Sequence, residues 1–299
     1  MLIQWYPGHM AKTKRMLGEQ IKLVDIVIEL LDARVPHSSQ NPDIKDITGG
    51  KKRIIALNKS DLAAQGVTER WLEFFASNGE TAISMDSSNN KNASDLIKAI
   101  NRMAEEKREK RRLRGQIATT VRAMVIGIPN VGKSTLINKL SGRAGANASD
   151  RPGVTRGRQW IGTKFGVELL DTPGVLWPKF GDAAVGIKLA ATGAISDDVF
   201  DKVNLCEELL KLLNGIDPDS YTERYKLQDS AKNANPRELL GLIGEARGFL
   251  LKGGTIDIER SAIIVLDEFR AGKLGRVSLE EPRPFGGSEP QARRAPPRN

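Results

Sequence analysis

The chain has 299 residues, 39% of them hydrophobic and 28% charged, a balance that fits one large or two ordinary globular domains and excludes a fibrous or low-complexity chain. Its net charge of +9 is uneven: residues 1–179 carry 29 basic and 18 acidic side chains, and residues 180–299 carry 17 and 19. A basic front half points either to a polyanionic partner such as nucleic acid or to a plain solvated basic surface. The single cysteine, Cys206, excludes an internal disulfide, and two histidines with one cysteine argue against a zinc site built by the protein. No apolar run reaches the ~18 residues of a membrane span. The N-terminus MLIQWYPGHMAKTKR has no signal-peptide core, so a cytoplasmic protein is expected.

In chain order, DIVIELLDA (25–33), RIIALN (53–58) and TAISM (81–85) read as strands, with a helical pattern, VTERWLEFFASN, between the last two. Ser94 to Arg112 reads as a long helix with Leu96, Ile97, Ile100 and Met103 on one face. VRAMVIGI (121–128) is a strand that runs into a glycine loop, with a helix from Lys133. RQWIGTKF and VELLD read as a hairpin. Beyond Phe180 only amphipathic helices are visible, among them VNLCEELLKLLNGI and IERSAIIVLDEFRAGKL. The expected fold is α/β with a mostly parallel sheet over 1–178, followed by a smaller all-helical domain over 179–280. The Pro-, Gly- and Arg-rich tail, 281–299, is expected to be disordered.

GIPNVGKS (127–134) fits the phosphate-loop pattern, with a strand before it and a helix after it. Backbone N–H groups of such a loop surround phosphate oxygens, so Gly127, Pro129, Asn130, Val131, Gly132, Lys133, Ser134 and Thr135 are the candidate phosphate-binding residues. Lys133 is expected to reach the β- and γ-phosphates, and the Ser134 hydroxyl to bind Mg²⁺. DTPG (171–174) ends the next strand, which makes Asp171 a second Mg²⁺ ligand and Gly174 a γ-phosphate donor. Thr155, in RPGVT, is the candidate switch threonine for Mg²⁺, with Ser149 and Thr163 as alternatives.

NKSD (58–61) has the form that reads guanine, yet it precedes the phosphate loop by 69 residues. A carboxylate such as Asp61 accepts both N–H donors on guanine's Watson–Crick edge, and adenine has no such pair. Asn58 would bond the base and brace the phosphate loop, and the Lys59 stem would cover the ring. Ser84 and Met85, at the end of the third strand, would form the loop near guanine O6. The same tetrapeptide is also ordinary turn chemistry, and topology separates the two readings. Each strand of a small GTPase sheet occurs once and in cyclic order, rotated so that the chain begins at the strand 25–33, one strand ahead of the strand that ends in NKSD.

That order, with WYPGHMAKTKR, LDARVPHSSQNP, NKSD, GIPNVGKSTLIN, DRPGVT and DTPGVLWPKF, resembles the ribosome biogenesis GTPase A family of circularly permuted GTPases over about residues 1–280. Val175 stands where many GTPases place a water-orienting glutamine, and valine cannot hydrogen-bond water. His9 could orient or deprotonate water at neutral pH or simply start a helix; the resemblance implies that it is the catalytic residue. Asn130 resembles an asparagine that ligates K⁺ in related GTPases. The resemblance further implies GTP and GDP as ligands and, as partner, the maturing large ribosomal subunit with its rRNA and proteins. It implies no DNA partner, no membrane span and a monomer. KREKRRLR (107–114) has six basic residues in eight and, with Lys12, Lys14 and Arg15, is either a candidate RNA contact or a solvated helix end. A metabolic P-loop kinase and a GTP-controlled membrane protein are the competing classes; NKSD opposes the first, and the missing span or basic amphipathic anchor opposes the second.

Overall fold

A computed structural model describes residues 10–87, 93–115, 120–142, 159–172, 174 and 182–282. The elements are α1 (Met10–Ile21), β1 (Ile26–Asp32), α2 (Pro36–Ser39), α3 (Ile44–Thr48), β2 (Lys52–Asn58), α4 (Gln65–Ser77) and β3 (Thr81–Ser84). They continue with α5 (Ala93–Leu113), β4 (Val121–Gly127), α6 (Lys133–Ser141), β5 (Gln159–Gly162), β6 (Val167–Asp171) and α7 (Ala183–Ala191). The last four helices are α8 (Lys202–Ile216), α9 (Asp219–Tyr225), α10 (Pro236–Arg247) and α11 (Ile258–Arg270).

The six strands order as β3-β2-β1-β4-β6-β5. All pairings are parallel except β5 with β6, the expected hairpin. All seven residues of β1 are buried, as the mainly apolar run IVIELLD requires of a central strand covered on both faces, and its two acids are paired, Glu29 with Arg53 and Asp32 with Arg34. Ile28, Ile54 and Val125 face a core that includes Leu96 and Ile100 of α5 and Leu136 of α6. On the other face Leu17 and Ile21 of α1 pack on Val27, Met124, Ile126 and Leu170, so α1 covers β1, β4 and β6. The chain leaves β3 through α5 and re-enters the sheet at β4, beyond β2 and β1. The sheet order therefore reverses between β1 and β4, and a crevice opens there at the carboxyl ends of the strands.

The helical part packs on this sheet layer, and its residues share one continuous core with it, from Ile28 to Phe269. Phe269, Leu266 and Val265 of α11 face Leu205, Leu209 and Leu213 of α8 within that core. Helix starts are set by local chemistry: Asn235 and Glu238 form a reciprocal capping box on α10, and Asp257 caps α11. Helices α7, α9 and α10 add to the two helices singled out in the sequence.

Past α11 the chain returns to the sheet. Leu279 N–H donates to the Arg34 carbonyl (2.8 Å), Val277 N–H donates to Leu62 O (3.2 Å), and Trp71 Nε1 donates to Glu280 O (3.1 Å). The Glu280 carboxylate accepts from Ser38 N–H (3.0 Å) and Oγ, and Lys188 Nζ of α7 lies 3.2 Å away. Residues 277–280 therefore belong in space to the sheet layer. Glu281, at the start of the tail expected to be disordered, pairs with Arg70; residues 283–299 lie outside the described residues. Removing a buried, paired carboxylate strands its partners, so Glu280→Ala should lower unfolding stability by about 3 kcal/mol. Urea denaturation would read this as a lower midpoint at an unchanged m-value.

Candidate functional site

The carboxyl ends of β1, β2, β4 and β6 bring together the segments that the sequence separates. Gly127 closes β4 so tightly on β1 that an added Cβ would lie 2.5 Å from Leu30 O. The loop then turns into α6 through Gly132, whose φ of +103° is open to glycine and closed to most L-residues. A Cβ at Gly132 would also stand 2.4 Å from Asn58 Nδ2, so the base motif and the phosphate loop are in direct contact.

Asn58 makes that contact specific. It is 1% exposed, and its Nδ2 donates to Val131 O (2.6 Å) and Ser87 Oγ (2.9 Å), while Ser87 N–H donates to its Oδ1 (2.9 Å). One amide thus ties NKSD, the loop after β3 and the phosphate loop into a unit. Ser87 is not among the expected base-loop residues Ser84 and Met85; it lies two positions beyond Met85. The Met85 side chain is fully buried in the core, which leaves its backbone facing this region: Met85 O accepts from Ser60 N–H at 3.1 Å. Ser84 ends β3. Asp61 is half-buried in the turn after Asn58.

Lys59 Nζ lies 3.1 Å from Asp32 Oδ2, and Arg34 grips the same carboxylate through Nε (2.9 Å) and Nη2 (2.8 Å). Burial alone would raise the Asp32 carboxyl; Arg34 and Lys59 outweigh it and hold the group well below the ordinary range. Burial lowers the Lys59 ammonium, and Asp32 opposes that shift. Arg34 is 1% exposed; it also reaches the carbonyls of Phe269 and Arg270 (3.5 Å each) and lies over the Phe269 ring. The base-side loop is thereby bonded to the C-terminal end of α11. LDAR in the sequence carried this cluster, as an Asp–x–Arg pair at a strand end.

On the phosphate side Lys133 folds back, Nζ donating to Ile128 O at 2.8 Å. Gly174 lies on the loop: a Cβ there would meet Pro129 Cα at 2.7 Å and Lys133 Nζ at 3.0 Å. Thr172 Oγ1 donates to Val125 O (2.6 Å), pinning the chain that leads to Gly174 onto β4. Ser134 is half-buried and Thr135 exposed in the first turn of α6; Asp171 is 1% exposed. A hydroxyl and a carboxylate are hard oxygen donors, and Mg²⁺ prefers one or two such protein ligands beside phosphate and water. The donor set therefore fits the Mg²⁺ that GTPases use. Asn130 Nδ2 donates to Gly193 O (2.9 Å), just past α7, so the phosphate loop too is bonded to the helical part. His9, Thr155 and Val175 lie outside the described residues.

Burial pushes Lys133 down to about 8, with Asp171 opposing the shift. The empty site then binds fewer protons than the unfolded chain between about pH 8 and 10.5, so this group's contribution to stability improves as pH rises through that window. Phosphate charge restores the ammonium. Nucleotide binding should therefore take up ~0.5 proton near pH 8 and weaken above it, with little proton uptake near pH 6.5. Calorimetry in buffers of different ionisation enthalpy checks both values.

A crevice with a strand–loop–helix phosphate cradle, a braced N-K-x-D turn and a sheet rotated in order defines a circularly permuted P-loop GTPase. Residues 122–240 match the family described as 50S ribosome-binding GTPase. "Ribosome biogenesis GTPase A" of Bacillus cereus is 44% identical, covering 96% of this chain and 96% of its own length. The protein of that name from Priestia megaterium is 43% identical over 94% and 98%. GDP-bound YlqF of T. maritima superposes with a TM-score of 0.66 at 28% identity, covering 90% of this chain and 99% of that one. The chain belongs to the ribosome biogenesis GTPase A family, and it hydrolyses GTP to GDP and phosphate.

Proposed function

We propose that this GTPase is a nucleotide-dependent switch in late maturation of the large (50S) ribosomal subunit. In this reading it works in the cytoplasm as a monomer, docks on rRNA and proteins of the precursor, and hydrolyses GTP faster there. Likeness along the whole length to proteins named for ribosome biogenesis is the observation that carries the reading. Among the described residues, no helix is long and apolar enough to cross a membrane. The helical part, with bounds near 179 and 280, is the docking domain in this proposal.

Within the site, Asp61 accepts the two guanine donors, Lys59 covers the ring, and Asn58, Ser84 and the Met85 backbone shape the base pocket. Backbone N–H groups from Gly127 to Thr135 hold the phosphates, with Pro129 shaping the loop, and Gly174 donates to the γ-phosphate. Ser134, Asp171 and Thr155 hold Mg²⁺. Asn130 holds K⁺, and His9 orients the attacking water. The bonds Asn130–Gly193 and Arg34–Phe269 support the switch: a phosphate loop or base loop that shifts on binding pulls directly on the helical part. Co-sedimentation with precursor large subunits tests the reading. More protein should pellet with a non-hydrolysable GTP analogue than with GDP; equal amounts would end the switch proposal, and no pelleting in either state would end the partner.

A further inference from the structure

The amino ends of the strands, opposite the nucleotide crevice, carry a second feature. A cleft of about 960 Å³ runs between the C-terminal half of α5 and the starts of β1, β2 and β4. Seven basic side chains line it, among them Lys22, Lys107, Lys110 and Arg122, against the three acids Asp25, Glu106 and Glu168. A neighbouring cleft of about 800 Å³ shares Lys51, Lys52, Met103 and Glu106 with it. This second cleft adds Arg53, Lys98 and Arg102 with only one further acid, Glu80. The two form one basic trough along the edge of the sheet.

The trough is held in shape. Arg111 Nη2 donates to Asp25 Oδ1 (2.8 Å), and Arg108 Nη2 donates to Gly166 O (3.0 Å), which fixes the basic end of α5 over the sheet. Lys52 pairs with Glu106, and Lys51 Nζ donates to Val24 O. Glu29 and Asp95 flank the lining and pair with Arg53 and Lys98, so six acids face the ten cations of the two clefts and an excess of positive charge remains. Burial lowers Lys51; Asp25 opposes that shift, and the neighbouring charge of Lys107 adds to it. Lys22, Arg102 and Lys110 remain exposed at the rim. Helix α5 has 21 residues and is therefore about 30 Å long, enough to follow several successive phosphates of a nucleic-acid backbone.

We infer that this trough is a binding groove for an RNA sugar–phosphate backbone, about 20 Å from the nucleotide across the length of the strands. The inference rests on the rRNA-binding part of the proposed function and adds the place. It makes the GTPase layer a docking surface in its own right, with the nucleotide crevice facing away from the RNA held there. Recognition through phosphates carries no sequence information, so the groove supplies affinity and orientation.

The test uses the full chain, a short labelled RNA duplex and its single strand, titrated across a salt series. The groove variant is Lys22→Gln/Arg102→Gln/Lys110→Gln; a matched variant on the helical part is Lys226→Gln/Lys252→Gln/Lys273→Gln. The groove variant should bind RNA about tenfold or more weakly, with the slope of log K against log salt reduced by about 2. Its basal GTP turnover and melting temperature should match the wild type, because these three side chains lie on the exposed rim away from the phosphate loop. Wild-type RNA binding that the groove variant retains in full would overturn the groove and leave the rRNA reading standing. No RNA binding by the wild type would overturn both. Wild-type binding to phosphatidylglycerol vesicles in place of RNA would replace the groove's ligand with a membrane surface.

Discussion

Lys133→Ala should lower kcat/KM for GTP by about 10³-fold or more, on the order of 4 kcal/mol of transition-state stabilisation. Phosphoryl transfer offers the protein little covalent chemistry, so catalysis rests on placing positive charge where the transferring group carries negative charge. Lys133 is buried at the base of the phosphate loop, where its Nζ donates to that loop's own Ile128 carbonyl at 2.8 Å. The ammonium therefore sits in a low-dielectric site with a weak internal partner, a condition that favours polyphosphate as a replacement. The same burial makes the charge costly in the empty protein. Lys133→Ala should accordingly melt no lower than the wild type while losing turnover. Loss of stability in parallel with activity would show that the lysine is structural.

Asp61→Asn should weaken GTP by about 10²-fold or more and should recover binding for xanthosine triphosphate. A carboxylate offers acceptors to guanine's ring N–H and exocyclic amine. An amide turns one of those acceptors into a donor, which meets the guanine amine donor to donor and leaves both unpaired. Xanthine carries a carbonyl in place of that amine and accepts from the new amide. The turn should survive the change, because its geometry is set by Asn58, buried and bonded to Val131 and Ser87, and by Ser60 N–H on Met85 O. Competition binding with GTP, ATP and xanthosine triphosphate reads the switch. Equal loss for all three would remove Asp61 from base recognition.

The strands were legible because β1, β2 and β4 are mostly buried on both faces and spell it as largely apolar runs broken by single charged residues. Their order was legible for a different reason: NKSD, GKS and DTPG each need a fixed place at a strand end, so the motifs carry the topology. Ser87 was not legible, since its role comes from an amide 29 residues away rather than from any local pattern. The return of residues 277–280 to the sheet was hidden likewise. Ser38 and Glu280 are 242 positions apart, and nothing around either residue names the other. Burial against Asp32 and α11 makes Arg34 a junction between the base side of the site and the helical part, and only the Asp32 half of that junction lies close in sequence. Short-range chemistry was visible in the chain, and couplings closed across it needed coordinates.

Those couplings matter only if the particle reads the nucleotide state. The most direct measurement is GTP turnover with and without precursor large subunits, in K⁺ and in Na⁺, for the wild type and His9→Ala. We predict stimulation by the particle of about tenfold or more, larger in K⁺ and lost in His9→Ala. Turnover at the same full rate with and without particles would contradict a switch that the ribosomal precursor controls.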